Sequence, residues 1–109
     1  MSGGSGGVPG CNPNTGSGCE CRNAPCPIPS DVCTSFGQGG LFCSNACTPN
    51  DQSVTCALLP GAPGQGFCLL ALSGGNQPDH CVVLCDAQRN CPTGLIGQTI
   101  QGTCICVGP

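Results

Sequence analysis

The chain has 109 residues, of which 14 are cysteine, 19 glycine and 11 proline; two are basic, five acidic, and the formal net charge is −3. Two arginines against five acids exclude an electrostatic nucleic-acid binder, and no apolar run reaches the ~20 residues of a membrane-spanning helix, so no transmembrane segment is expected. Lysine, tryptophan and tyrosine are absent and Leu, Ala and Glu are sparse, which excludes a helix bundle or a dinucleotide-binding α/β domain.

Leu, Ile, Val and Phe together number 21, a thin core for this length. Covalent staples have to make up the difference. The cysteines are even in number, which predicts full pairing of Cys11, Cys19, Cys21, Cys26, Cys33, Cys43, Cys47, Cys56, Cys68, Cys81, Cys85, Cys91, Cys104 and Cys106. Pairing on this scale implies an oxidising compartment: the extracellular space or cell surface, with the periplasm as the alternative. The expected fold class is small and disulfide-rich, loop-dominated with short antiparallel β-strands, two tandem cystine-stapled modules and little helix.

Residues 1–10 read as a Gly/Ser-rich tail or linker, placed to lie across a neighbouring molecule. Met1 has no charged and apolar leader behind it, so a signal peptide is expected to have been removed, or export to use another route. Residues 11–38 form a Cys/Pro/Gly-rich N-terminal segment. Cys11 to Cys19 is almost pure turn chemistry, and the alternating Pro25, Pro27 and Pro29 forbid helix and favour extended backbone.

A repeat organises the rest. Cys43, Cys47 and Cys68 recur 38 residues later as Cys81, Cys85 and Cys106, each copy opening on C-x3-C after a Gly-Gly pair. The predicted modules are 39–73 and 74–109. Strands are predicted over Gly66–Leu72 and Thr103–Val107, and over Leu95–Ile100 as the first arm of a hairpin turning at Gln101-Gly102. His80–Cys85 reads as a strand or one helical turn, and Asp79 to Asn90 as the one stretch where a short helix is plausible. The cysteines divide five, four and five among the three segments. Two segments are therefore odd, and the simplest closure is one long-range cystine from residues 11–38 to the C-terminal module, with Cys104 at its far end. Within modules, alternating pairing (first to third, second to fourth) is expected.

The rival chemistries are weak. Cys19/Cys21 and Cys104/Cys106 are C-x-C pairs as in thiolate clusters, but cystine formation consumes thiolates, so no metal and no cofactor is expected. Asp86 to Asn90 places oxygen-bearing side chains at alternate positions without the several carboxylates of a calcium loop. Asp79-His80 is the sole acid–His neighbour pair, with no activated nucleophile motif to accompany it, and no C-x-x-C occurs. Enzymatic activity is not expected. Cystine scaffolds also present rigid inhibitory loops, for which Ala57 to Phe67 and Asp86 to Asn90 are the candidates.

Charged residues make up 6% of the chain, far below the usual quarter, so repulsion between copies is weak. The predicted function is a non-enzymatic extracellular structural protein, a subunit of a filament, coat or surface assembly, whose partners are copies of itself or another extracellular protein. The alternative is a monomeric secreted binding module such as a protease inhibitor. Candidate subunit contacts are Leu41, Phe42, Leu58, Leu59, Phe67, Leu69 and Leu70, which serve equally as an intramolecular core.

Cys81-x3-Cys85-x5-Cys91-Pro92-Thr93-Gly94, followed by Gly102-Thr103-Cys104, resembles cysteine-rich repeat modules of bacterial secreted proteins and lipoproteins. Those modules run C-x3-C, a short acidic loop, then C-P-x-G and a further cysteine just after, where this sequence has Ile96-Gly97. The resemblance covers residues 78–106 and implies location and stapling, not an activity.

Overall fold

The computed structural model describes residues 10–36 and 39–109; the tail over residues 1–9 lies outside them. In chain order the elements are β1 (Val32–Thr34), β2 (Phe42–Ser44), α1 (Gln52–Thr55), β3 (Gln65–Leu70), β4 (His80–Leu84), β5 (Ile96–Ile100) and β6 (Thr103–Val107). All pairings are antiparallel. β1 and β2 form a two-stranded sheet, and the other four strands form a sheet in the order β3-β4-β6-β5.

The strands follow the β-branched and apolar runs. β6, Thr-Cys-Ile-Cys-Val, is β-branched at alternate positions. β5 and β6 are joined by Gln101-Gly102, both with positive φ (52° and 83°), the conformation of a two-residue hairpin turn whose twist matches its strands. His80–Leu84 is a strand, because β3 and β6 both bond to it. The helix lies at Gln52–Thr55, not within Asp79 to Asn90 where the sequence reading placed it. Asp51 folds back onto Thr48 N–H and turns the chain there, whereas residues 80–84 are captured by two neighbouring strands.

The apolar core gathers Phe42, Leu70, Val82, Val83, Leu95, Ile105 and Val107 around the central strands, with Phe36, Leu58, Leu84 and Ile100 packed against it. A second buried cluster consists of cysteine alone: Cys47, Cys56, Cys68 and Cys81. Here cystine sulfur takes the place of aliphatic side chains.

All 14 cysteines are paired: Cys11–Cys19, Cys21–Cys33, Cys26–Cys43, Cys47–Cys68, Cys56–Cys81, Cys85–Cys104 and Cys91–Cys106. The expected long-range cystine does not form, and Cys104 bonds to Cys85 in its own segment. The odd cysteine of residues 11–38, Cys26, is taken by Cys43; this leaves three in 39–73, of which Cys56 reaches Cys81, so parity passes from neighbour to neighbour. Short loops cost less entropy to close, and the widest separation here is 25 residues. The alternation expected within 39–73 holds for Cys47–Cys68, but Cys43 does not pair with Cys56.

After Cys11–Cys19, one pairing rule runs through the chain. Four successive cysteines close first to third and second to fourth, over 21–43, then 47–81, then 85–106. The C-x3-C spacings mark the junctions between these sets rather than their beginnings. Cys33 faces Cys43 across β1–β2, and Cys68 faces Cys81 across β3–β4, yet neither facing pair is bonded. In the last set, Cys104 and Cys106 share β6.

The C-terminal residues do meet earlier parts of the chain without a covalent link. Gly40 and Gly108 exchange backbone hydrogen bonds of 3.1 and 3.3 Å, and Arg22 Nη1 donates to the Pro109 carbonyl at 3.2 Å. The approach at Gly40 and Gly108 leaves no room for a Cβ on either residue.

Candidate functional site

In each four-cysteine set, the first, second and fourth sulfurs gather within 4.8 Å of one another: Cys21, Cys26 and Cys43; Cys47, Cys56 and Cys81; Cys85, Cys91 and Cys106. In the last set, Cys85 Sγ lies 3.6 Å from Cys91 Sγ and 3.8 Å from Cys106 Sγ. These are stacked cystines. Their sulfurs carry no thiolate while bonded, and a metal would need them reduced first.

Asp79 and His80 stand where β4 begins. His80 Nδ1 lies 2.8 Å from Asp79 Oδ1, and the same carboxylate accepts the N–H groups of Leu72 (2.9 Å) and Ser73 (3.0 Å). The bond with His80, followed by those from Ser73 and Leu72, holds the Asp79 carboxyl well below the usual carboxylate range. The group ties down the 71–79 loop, and the Ser73 side chain joins its backbone N–H in bonding to the carboxylate. Asp86 Oδ1 accepts the N–H groups of Gln88 (2.9 Å) and Asn90 (2.8 Å), so the candidate calcium loop spends this oxygen on its own backbone.

Asp31 has both carboxylate oxygens sealed from solvent without a hydrogen-bond partner among the described residues, and burial raises its pKa against the lowering influence of His80. The Ser17 hydroxyl is likewise sealed and unpartnered among these residues.

Two open hollows indent the surface. One, of about 330 Å³, lies between α1 and the 57–66 loop, with Gln52, Leu58 and Leu59 in its wall. The other, of about 350 Å³, lies between the N-terminal segment and the 93–94 turn, with Glu20, Pro25 and Pro27 in its wall. Each has the volume of a small-ligand site, yet neither gathers the convergent polar groups that would fix a ligand.

The candidate contact residues separate by burial. Phe42 and Leu70 are core, at 2% and 8% exposure, and Leu58 packs against that core. Leu59 and Phe67 are half-buried. Leu41 and Leu69 stand out at 41% and 48% exposure. The sequence reading missed Ile96 and Val54, exposed at 52% and 70%. The sequence places Ile96 on a strand arm, and only the strand order β3-β4-β6-β5 puts that arm at the sheet's edge.

No family model, no curated protein and no solved structure matches the chain. None of the described helices is long and apolar enough to cross a membrane. Seven cystines in a chain of 109 residues fit a small extracellular domain, or another oxidising compartment.

Proposed function

We propose that this is a non-enzymatic extracellular structural protein that works by associating with copies of itself, as a subunit of a filament, coat or surface assembly. The observation that carries the reading is a fully cystine-paired frame whose surface has almost no charge to keep copies apart. The thrice-repeated pairing rule supports a tandem array of four-cysteine units, with Cys11–Cys19 as a staple at its N-terminal end. The spacing resemblance to bacterial secreted modules supports the same location.

The alternative is a monomeric binding module such as a protease inhibitor. It requires a loop that projects from the frame, and the best candidate, Ala57 to Phe67, instead turns Leu58 inward against the core. Sedimentation velocity and negative-stain electron microscopy on the oxidised chain test the proposal. Association that grows between about 1 µM and 1 mM is expected, the range in which weak self-contacts populate. A single monomeric species throughout would overturn it in favour of the binding module.

A further inference from the structure

The four-stranded sheet has two edges, and they are treated differently. At the β3 edge, the outward N–H of Cys68 is bonded by the side-chain oxygen of Gln52 at 2.9 Å, and the Cys56 carbonyl overhangs Gly66. The short helix α1 therefore closes that edge. At the β5 edge no hydrogen bond to an outward N–H is present among the described residues; the 86–90 loop lies over one face of the strand, with the Arg89 carbonyl near Gly97 and its guanidinium on the Thr99 hydroxyl.

The hairpin register fixes which groups β5 presents. Ile100 and Thr103 flank the two-residue turn and form a bonded pair, as do Gln98 with Ile105 and Ile96 with Val107. Thr99 opposite Cys104 and Gly97 opposite Cys106 are then the non-bonded pairs, so Gly97 and Thr99 aim their N–H and C=O groups away from β6. The Cys104 carbonyl agrees: it is turned to the other side, where it accepts Cys85 N–H at 3.0 Å. Gly97, Thr99 and Ile96 are all exposed.

Edge strands are ordinarily protected by a charge, a proline or a bulge. β5 has none of these, and residues 90–109 contain no ionisable side chain. The sole charged side chain bonded to β5 among the described residues is Arg89, which donates to the Thr99 hydroxyl.

We propose that β5 pairs antiparallel with β5 of a second copy about a two-fold axis through Gln98, continuing the sheet from one molecule into the next. This rests on the assembly reading above and gives it an interface. In this register Gly97 and Thr99 bond reciprocally with Thr99 and Gly97 of the other copy, satisfying both outward-facing residues. On the opposite face the exposed Ile96 lies across from the half-buried Ile100 of the second copy and is covered by it, while Gln98 meets Gln98. A register centred on Gly97 would need the Leu95 N–H, which is already spent on the Pro92 carbonyl. A register centred on Thr99 would run into the turn at Gln101. A second copy suits this edge because the register is self-complementary, and the one charge beside it, on Arg89, is already engaged with the Thr99 hydroxyl. The contact is isologous and closes at two copies; a filament is built from such dimers through a separate surface.

The test uses Gln98→Lys and Gln98→Glu in the full oxidised chain, with intact mass confirming that all cystines remain. Each variant alone sets like charges opposite each other and is expected to weaken dimerisation about tenfold or more, while an equimolar mixture recovers a dimer containing one of each. Recovery in the mixture cannot come from misfolding. If the wild type associates but the variants associate equally well, or the mixture stays weak, the β5 contact is wrong and the assembly reading survives. A wild type that remains monomeric to about 1 mM overturns both. A wild-type monomer whose Gly97 and Thr99 amides become protected only on adding another protein overturns both as well, and gives the edge to a foreign partner.

Discussion

Asp79 shows how much of this molecule depends on single polar groups. Its carboxylate collects His80 and the backbone of Leu72 and Ser73, and the ionised form is the one those donors favour. A folded-state pKa depressed below the unfolded value of 3.8 contributes stability that is present above that value and lost as pH falls toward the folded one. The amide protons of Leu72 and Ser73 followed by NMR are expected to titrate with a midpoint well below pH 3.8; a midpoint at or above it contradicts the assignment. Gly66 is decided by space. A Cβ there would collide with the Cys56 backbone carbonyl, which a cystine on the same residue holds in place. Gly66→Ala is expected to cost about 1–3 kcal/mol in chemical denaturation with the cystines intact, and an unchanged midpoint would show that the loop gives way.

At the scale of elements, the sequence reading succeeded where residue type and turn chemistry agree. Thr103–Val107 is a strand with the bounds expected, because a β-branched run follows a Gly-containing two-residue turn. β3 and β5 are recovered to within one or two residues at each end. The four-residue helix was not legible, since one turn is too short to show a period. The cystine frame was legible in its alternation but not in its phase. C-x3-C looks like the start of a unit, whereas β2 and β4 place its two cysteines in successive units. Strand alternation tells neither Phe42 from Leu41 nor Leu69 from Leu70: β2 is buried at all three positions and Leu41 lies just before it. The register shifts between Cys68 and Leu70, leaving Leu69 outside and Leu70 in the core. The guarded β3 edge gives a prediction of its own. α1 buries no residue, so Gln52→Ala removes little except the partner of the buried Cys68 N–H. The expected cost is about 1–3 kcal/mol, with faster exchange of the Cys68 amide. Unchanged exchange would show that the edge is not held by Gln52.

For the whole molecule, the cystines supply what the composition lacks. A radius of gyration of 12.7 Å matches the roughly 13 Å of an ordinary domain of this size, despite the few large apolar side chains. The three crossed cystine pairs run from Cys21 to Cys106, each bringing three sulfurs together, and residues 108 and 109 bond back to Gly40 and Arg22 without a covalent link. The proposed extracellular location and structural role both depend on that frame being complete and paired as described. Proteolysis of the unreduced chain, with mass spectrometry of the linked peptides, tests it most directly. The account requires the first-to-third and second-to-fourth links over 21–43, 47–81 and 85–106, together with Cys11–Cys19 and no free thiol. A cystine joining residues 11–38 to Cys104, or any cysteine recovered as a thiol, would contradict it.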